Sequence, residues 1–524
     1  SCLSWFMLCA GFERKLARRV LSLTAALLLS ACAVGPDYAP PKTDIPPRWT
    51  QTAPAASAQP MDDWWKSFND PLLNQLIAEA IQSNLDVKLA ETRIREARAN
   101  RTGTLAAGLP SFGARSDLTR RRNNINASGQ SAAAGAFGVG NQIINIFQAG
   151  FDASWELDLF GAVRRAVESA DAVLQSEEET RRDTLITLLG EVARNYIELR
   201  ANQQLLAVTR DNLRSQEDTL ALTRIRRQAG LSSELETAQS EGLTAETRAQ
   251  APTYEAAAQR AIHALSVLLG QPPGTLAPRL DPPGPLPASA AAGLAELPAD
   301  VVRRRPDIRR AERKLAAANA EIGVAMAELY PRVKLSAFLG LQNTSLAGFT
   351  PIGKSWAMAS SVTMPLFNWG RIQANITAKE AQNDGALLSY QAAVLQAYKE
   401  VEDALAGLAE AERRIAALNQ SVEAQRLAFT LASERWRNGL SAYLDVLLAE
   451  RGVFQSQREL VQAQSQQAAQ HVALYKALGG GWQAGEKPAD GGEDWLNEAY
   501  HALAPGVAPE NPDISGATPG KPAP

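Results

Sequence analysis

Two stretches of this 524-residue chain match each other at constant offsets. Asp86-Val87-Lys88-Leu89-Ala90-Glu91 answers Asp307-Ile308-Arg309-Arg310-Ala311-Glu312, an offset of 221 that holds from Leu76/Leu297 to Pro110/Pro331. From Gly161/Gly370 onwards the offset is 209, carried by Glu191-Val192/Glu400-Val401, Gly230-Leu231-Ser232/Gly439-Leu440-Ser441 and Leu269-Gly270/Leu478-Gly479. Shared helical composition does not keep register over such a distance, so the chain reads as two copies of one unit. The step of 12 between Pro110 and Gly161 marks an insert in the first copy.

Each copy predicts the same order of elements. A helix, 85–107 or 307–329, is stopped by Pro110 or Pro331, because proline cannot continue a helix. A strand pair follows, in hairpins 111–160 and 332–369. Val333, Leu335, Ala337, Leu339 and Leu341 alternate, as do Trp356, Met358, Ser360, Val362 and Met364; Phe151, Ala153, Trp155 and Leu157 give the weaker first-copy pattern. Runs of about 9–12 residues suit either tilted transmembrane strands or an ordinary half-buried hairpin. The connecting loops are expected at 123–147 and 343–354. Proline-free helical stretches come next, 161–228 and 370–437, each roughly 100 Å long as α-helix. Gly230 and Gly439 end them at the position where glycine relieves a left-handed backbone, and helices 233–269 and 442–478 return. Such lengths imply antiparallel coiled-coil hairpins projecting from the sheet. The organisation read from sequence is therefore a first repeat over 72–270 with its coiled-coil hairpin at 161–270, an extended proline-rich connector at 271–292, a second repeat over 293–479 with its coiled-coil hairpin at 370–479, and a largely disordered tail at 480–524.

The N-terminus reads as an address. Arg14, Lys15, Arg18 and Arg19 precede the apolar run Val20–Ala31, which is too short to span a bilayer as a helix. It ends in Leu29-Ser30-Ala31-Cys32, which resembles the bacterial lipobox. Residues 1–31 then read as a lipoprotein signal peptide, Cys32 as the lipidated residue, and 32–71 as an extended N-terminal segment. Ala33 after the cysteine favours the outer membrane. Cys2 and Cys9 would leave with the signal, so no intrachain disulfide is expected. No other segment is long and apolar enough for a spanning helix, so any crossing must use strands. Four strands cannot close a barrel, and single-chain barrels start at about 8 strands, so several copies must combine.

With 53 basic and 56 acidic residues the chain has no basic field, which excludes nucleic acid as a partner. Three histidines and three cysteines give little material for a metal site, and no P-loop, G-x-S-x-G with partners or H-E-x-x-H occurs. No metal, cofactor or enzymatic activity is expected, and energy for transport must come from a partner.

Together the lipobox, Val34-Gly35-Pro36-Asp37-Tyr38, Trp64-Trp65, the two hairpins and the two long coiled coils resemble the TolC-like outer-membrane efflux proteins. The lipoprotein branch that works with resistance–nodulation–division pumps is most similar. The resemblance implies a mainly α fold with a membrane β-barrel. Three chains would give four strands each to a 12-stranded barrel that continues into an α-helical coiled-coil barrel. It implies a homotrimer that meets a periplasmic adaptor, an inner-membrane pump and outer-membrane lipid, and exports drugs or other small toxic compounds. A type I protein-secretion duct shares the fold, but the lipobox and Gly-Pro-Asp-Tyr segment argue against it. A lipid-anchored periplasmic scaffold without a barrel is the alternative of a different class.

The resemblance also places the sites. The hairpin tips, marked by Gly230, Gly439 and Trp436, would form a periplasmic gate. Asp445 and Leu444 fall on a gate-acid and an apolar-constriction position, and Glu236 and Leu235 are their first-copy equivalents. Leu448 departs from members with a second acid there, which suggests a more apolar seal. A ring of carboxylates around a pore attracts cations and repels anions; a solvent-facing carboxylate at a helix N-terminus is the plainer reading of Asp445 and Glu236. Tyr330, Phe160, Phe367 and Trp369 at the strand–helix junctions, with Phe147, Phe349 and Trp356 towards the loops, would form two interfacial girdles; ordinary packing is the alternative. Arg120-Arg121-Arg122 ends the first strand on the loop side, either as a solvated run or facing lipopolysaccharide phosphates.

Overall fold

The computed structural model of the protein describes residues 33–42, 46–50, 61–122, 143–288, 301, 303–345 and 353–485. The proposed signal peptide and Cys32 lie outside the described residues, as do both loop apices, including Phe349, and the chain beyond 485.

Two helices of 13 and 23 residues come first. Asp70 caps α1 (Pro71–Ser83), its Oδ1 accepting from the amides of Leu72 at 2.9 Å and Leu73 at 3.2 Å. Asn84 does the same for α2 (Leu85–Ala107), and its Nδ2 donates to the carbonyl of Leu268 at 2.9 Å. Strands β1 (Ser111–Arg122) and β2 (Ile143–Leu157) follow, then α3 (Ala162–Gln228) and α4 (Glu234–Leu268). The second half repeats this order with α5 (Pro306–Ala327), β3 (Arg332–Asn343), β4 (Lys354–Thr363), α6 (Arg371–Arg437) and α7 (Tyr443–Ala477). Gly161 and Gly370 start the two 67-residue helices from the left-handed region, at φ of 80° and 79°. No described helix is long and apolar enough to cross a membrane.

The principal core sits midway along α3, where the C-terminal parts of α4 and α7 reach it. Trp64, Phe68, Leu73, Leu76 and Ile77 meet Leu189, Val192, Tyr196 and Ile197 of α3, Ile262 and Leu265 of α4, and Val472 and Tyr475 of α7. Trp64 stacks on Tyr475 at 5.3 Å.

Three expectations need correction. The N-terminal segment is not extended throughout: Trp64–Phe68 form a 3₁₀ turn because their aromatic rings must converge on this core. The connector contains a helical turn, Ala277–Leu280, driven by burial of Leu276 and Leu280 one turn apart. The first residues of the expected tail, through Gly485, are described: Trp482–Gly485 form a 3₁₀ turn and Trp482 lies 4.6 Å beneath the Arg182 guanidinium. The first loop is shorter than expected, because the β-branched Ile143, Ile144 and Ile146 begin β2 early; Phe147 is a strand residue paired with Leu118 and Asn343.

Candidate functional site

The sheet runs β1-β2-β3-β4, antiparallel throughout and without a bulge, leaving β1 and β4 as edges. Directly paired residues share a face and neighbours along a strand alternate, so the register sorts every side chain. One face carries Phe112, Leu118, Phe151, Trp155, Leu335, Leu339, Trp356 and Met358. The other carries Arg115, Asp117, Gln148, Asp152, Glu156, Lys334, Ser355 and Ser361. Phe112, Phe151, Leu339, Trp356 and Met358 are all well exposed. Apolar side chains on one face and polar ones on the other is the pattern of a strand wall between lipid and water.

At the helix-proximal end the expected aromatics form two pairs. Phe160 stacks on Tyr330 at 4.7 Å and is half-buried, whereas its second-copy equivalent Trp369 packs on Phe367 at 4.9 Å and is 90% exposed. Trp369 also has a positive φ of 55°, an uncommon conformation for a bulky residue.

The segment after Cys32 is fastened at this same level. The Val34 amide donates to the Phe160 carbonyl at 3.2 Å. Buried Arg165 donates through Nη2 to Asp37 Oδ1 at 2.7 Å and through Nε to the Val34 carbonyl at 3.3 Å. Asn319 Nδ2 donates to the Pro36 carbonyl at 2.9 Å, and the Tyr38 hydroxyl to Glu312 Oε1 at 3.2 Å. Burial and the adjacent Glu312 carboxylate push the Tyr38 phenol well above its ordinary pKa. Gly35, at φ +105°, lies so close to Gly323 that a Cβ would stand 2.5 Å from its Cα. Each of these five motif residues therefore either makes a contact or permits one.

The opposite end holds the two hairpin tips. Both turn through the same Schellman motif: Leu231 N to Arg226 O and Leu440 N to Arg435 O, each 2.8 Å, with Gly230 and Gly439 both at φ +74°. The tips then diverge. Trp436 and Tyr443, 5.4 Å apart across the second turn, are buried with Leu243, Val446 and Leu447. Arg226 of the first tip lies 4.9 Å over Trp436 and donates to the Arg437 carbonyl at 3.1 Å, joining the two tips. In the first tip Ser233 caps α4 by accepting from the Glu236 amide at 3.3 Å, while the Glu236 carboxylate accepts from the Ser232 hydroxyl. This is close to a capping box. In the second, Ala442 occupies the cap position without a side-chain bond, and Asp445 is exposed. Leu231, Leu235, Leu440, Leu444 and Leu448 are exposed around both tips.

The descriptive family model for outer membrane efflux proteins matches residues 76–271 and 297–480. The chain belongs to the outer membrane efflux protein family. It is 33% identical over 477 residues to the solvent efflux pump outer membrane protein SrpC of Pseudomonas putida, covering 89% of this chain and 99% of that one. It is 35% identical over 483 residues to the pyoverdine export outer membrane protein OpmQ of Pseudomonas putida, covering 90% and 98%. The solved outer-membrane channel OprN superposes with a TM-score of 0.79 at 34% identity, covering 86% of this chain and all of that one. The protein is thus an outer-membrane efflux channel that extends into the periplasm, and the family's members are channels rather than enzymes.

Within this family frame the structure brings Trp436, Gly439, Leu444 and Asp445 together on one tip and Gly230, Leu235 and Glu236 on the adjoining one. It separates the two acids by environment. Sequence reasoning passed over Tyr443 and Arg226. The spacing Trp436…Tyr443, seven residues across a glycine turn, was the signal for the first. Nothing local signals Arg226, whose partner lies 210 residues away in the chain. Among the described residues no group of three or more His, Cys, Asp or Glu is placed to hold a metal ion.

Proposed function

We propose that three copies of this chain form the exit duct of a tripartite pump for small toxic compounds, meeting a periplasmic adaptor and an inner-membrane pump. One observation carries it: a four-stranded sheet with an apolar outer face has two unpaired edges, β1 and β4. Open strand edges are not tolerated in lipid. A head-to-tail arrangement pairs β4 of one copy with β1 of the next and closes after three copies into 12 strands, a rotation that forms a ring. The helices support the same arrangement, since α2 and α6 flank those edges with Leu85, Leu89, Leu388 and Leu395 exposed. SrpC and OpmQ carry names for solvent efflux and pyoverdine export, so relatives of one architecture serve different cargo.

Lipidation of Cys32 is supported by the fastening of Val34 to Phe160, a member of the aromatic pair. The tip is the gate, sealed by the exposed leucines and biased by a ring of Asp445 carboxylates. The test is mass determination in detergent with planar-bilayer recording. A monomeric, non-conducting product would falsify the duct. Asp445→Ala is expected to raise the single-channel conductance of the closed tip; unchanged conductance removes the gating role of this acid.

A further inference from the structure

The apolar face of the sheet is charged at one end only. On that face the described strand residues include three cations, Arg120, Arg122 and Lys354, and no acid. All three are exposed and stand at the helix-distal end: Arg120 and Arg122 close β1, and Lys354 opens β4. The residues opposite them, Asn145, Ile143 and Leu341, offer no carboxylate. The helix-proximal end of the same face ends instead in Phe112, Leu157, Val333 and Val362 and the aromatic pairs. The polar face differs again, mixing Arg115, Arg121, Arg332 and Lys334 with Asp117, Asp152 and Glu156.

Cations are costly on a lipid-facing surface at mid-depth and tolerated near its margins. Tolerance alone would allow them at both margins. Their restriction to the outer one, without a counter-ion among the described residues of that face, points to a fixed anion there. We propose that Arg120, Arg122 and Lys354 bind the phosphate groups of a phosphorylated glycolipid in the outer leaflet. Arginine suits this ligand because its planar fork meets phosphate oxygens in pairs. The site rests on the trimeric barrel proposed above: closure sets β4 of one copy beside β1 of the next. The two arginines and the lysine then share each of three seams, so the lipid bridges adjacent chains.

The experiment is native mass spectrometry of the full-length, detergent-purified protein at low salt, titrated with diphosphoryl lipid A, dephosphorylated lipid A, phosphatidylglycerol or phosphatidylethanolamine. Wild type is expected to retain up to three diphosphoryl lipid A molecules per trimer. The variant with Arg120→Gln, Arg122→Gln and Lys354→Gln is expected to lose about a hundredfold in affinity, about fivefold per cation. Lys354→Gln alone, on the far strand of the seam, gives about fivefold and keeps the test open should the triple variant not assemble. Equal retention of the dephosphorylated lipid, or no loss on substitution, overturns the site. Equal retention of phosphatidylglycerol overturns its assignment to a glycolipid. The same spectra separate the two readings: a trimer that ignores lipid A removes this site alone, whereas absence of any trimer removes the barrel on which it stands.

Discussion

Helices α3 and α6 have the same length and lie 209 residues apart in register, yet they are used differently. Among their 67 residues α3 buries 26 and α6 buries 12. The cause is their neighbours. α3 runs between α2, α4, α5 and α7, whereas α6 is covered only by α5 and α7 along most of its length. Ile186 of α3 is 4% exposed, and its equivalent on α6, Leu395, is 69% exposed. One of two equivalent helices thus completes the interior of the chain, while the other leaves an apolar flank exposed, the flank that meets a neighbouring copy in the proposed trimer.

The sharpest way to break this contrast is one substitution at both equivalent positions. Ile186→Asp puts an unpaired carboxylate in a dry interior and is expected to cost about 4 kcal/mol or more, so little folded protein accumulates. Leu395→Asp leaves the single chain folded, with circular dichroism unchanged, but abolishes the trimer in mass measurements. A trimer that survives Leu395→Asp would mean that the flank of α6 faces water and not a neighbour.

Glu450 and Glu241 offer a second contrast. Glu241 pairs with Arg224 at 2.7 Å on the surface. Glu450 is buried between α7 and α3, with the Ser215 hydroxyl 3.4 Å from it, and burial pushes its pKa up to about 7 despite that hydrogen bond. The folded state then keeps a proton that the unfolded chain releases above its ordinary pKa. Stability is fully present at low pH and declines as pH rises from about 4.5 to about 7, by about 3 kcal/mol at most. Glu450→Gln should flatten this loss in melting temperatures measured from pH 4 to pH 8; Glu241→Gln should leave it unchanged. A wild-type profile equal to that of Glu450→Gln would show the carboxyl to be hydrated.

The smallest expected effect concerns the tips. Ser233 caps α4 and Ala442 leaves α7 uncapped, with backbone angles (φ −72°, ψ 152°) that a capping serine adopts. Ala442→Ser should stabilise the second tip by about 1 kcal/mol and Ser233→Ala weaken the first by a similar amount. Hydrogen exchange of the amides after each turn reports both. If the two changes move exchange equally little, side-chain capping does not distinguish the tips.

Much of this architecture was legible from one-dimensional signals, because they act locally. Prolines 110 and 331 and glycines 230 and 439 punctuate the backbone whatever surrounds them, and the long helices end within a residue of the expected bounds at Gln228 and Arg437. Alternation in Val333–Leu341 gave β3, while β2 was cut short because its Ile143–Phe147 segment breaks the apolar–polar alternation. The position of Asp445 and Glu236 just after the turns was legible, but their environments were not. Glu236 is engaged by the Ser232 hydroxyl, whereas Asp445 is exposed and Ser441, the equivalent of Ser232, makes no side-chain hydrogen bond, so an identical serine does not carry the contact over.

The sequence by itself determined the lengths, ends and order of the elements, since backbone propensity and side-chain alternation are properties of adjacent residues. Only the tertiary structure decided which of two equivalent surfaces is covered. That choice depends on what packs against each helix: residues hundreds of positions away, such as Arg226 over Trp436 or α7 across Glu450, set the burial that no local pattern encodes.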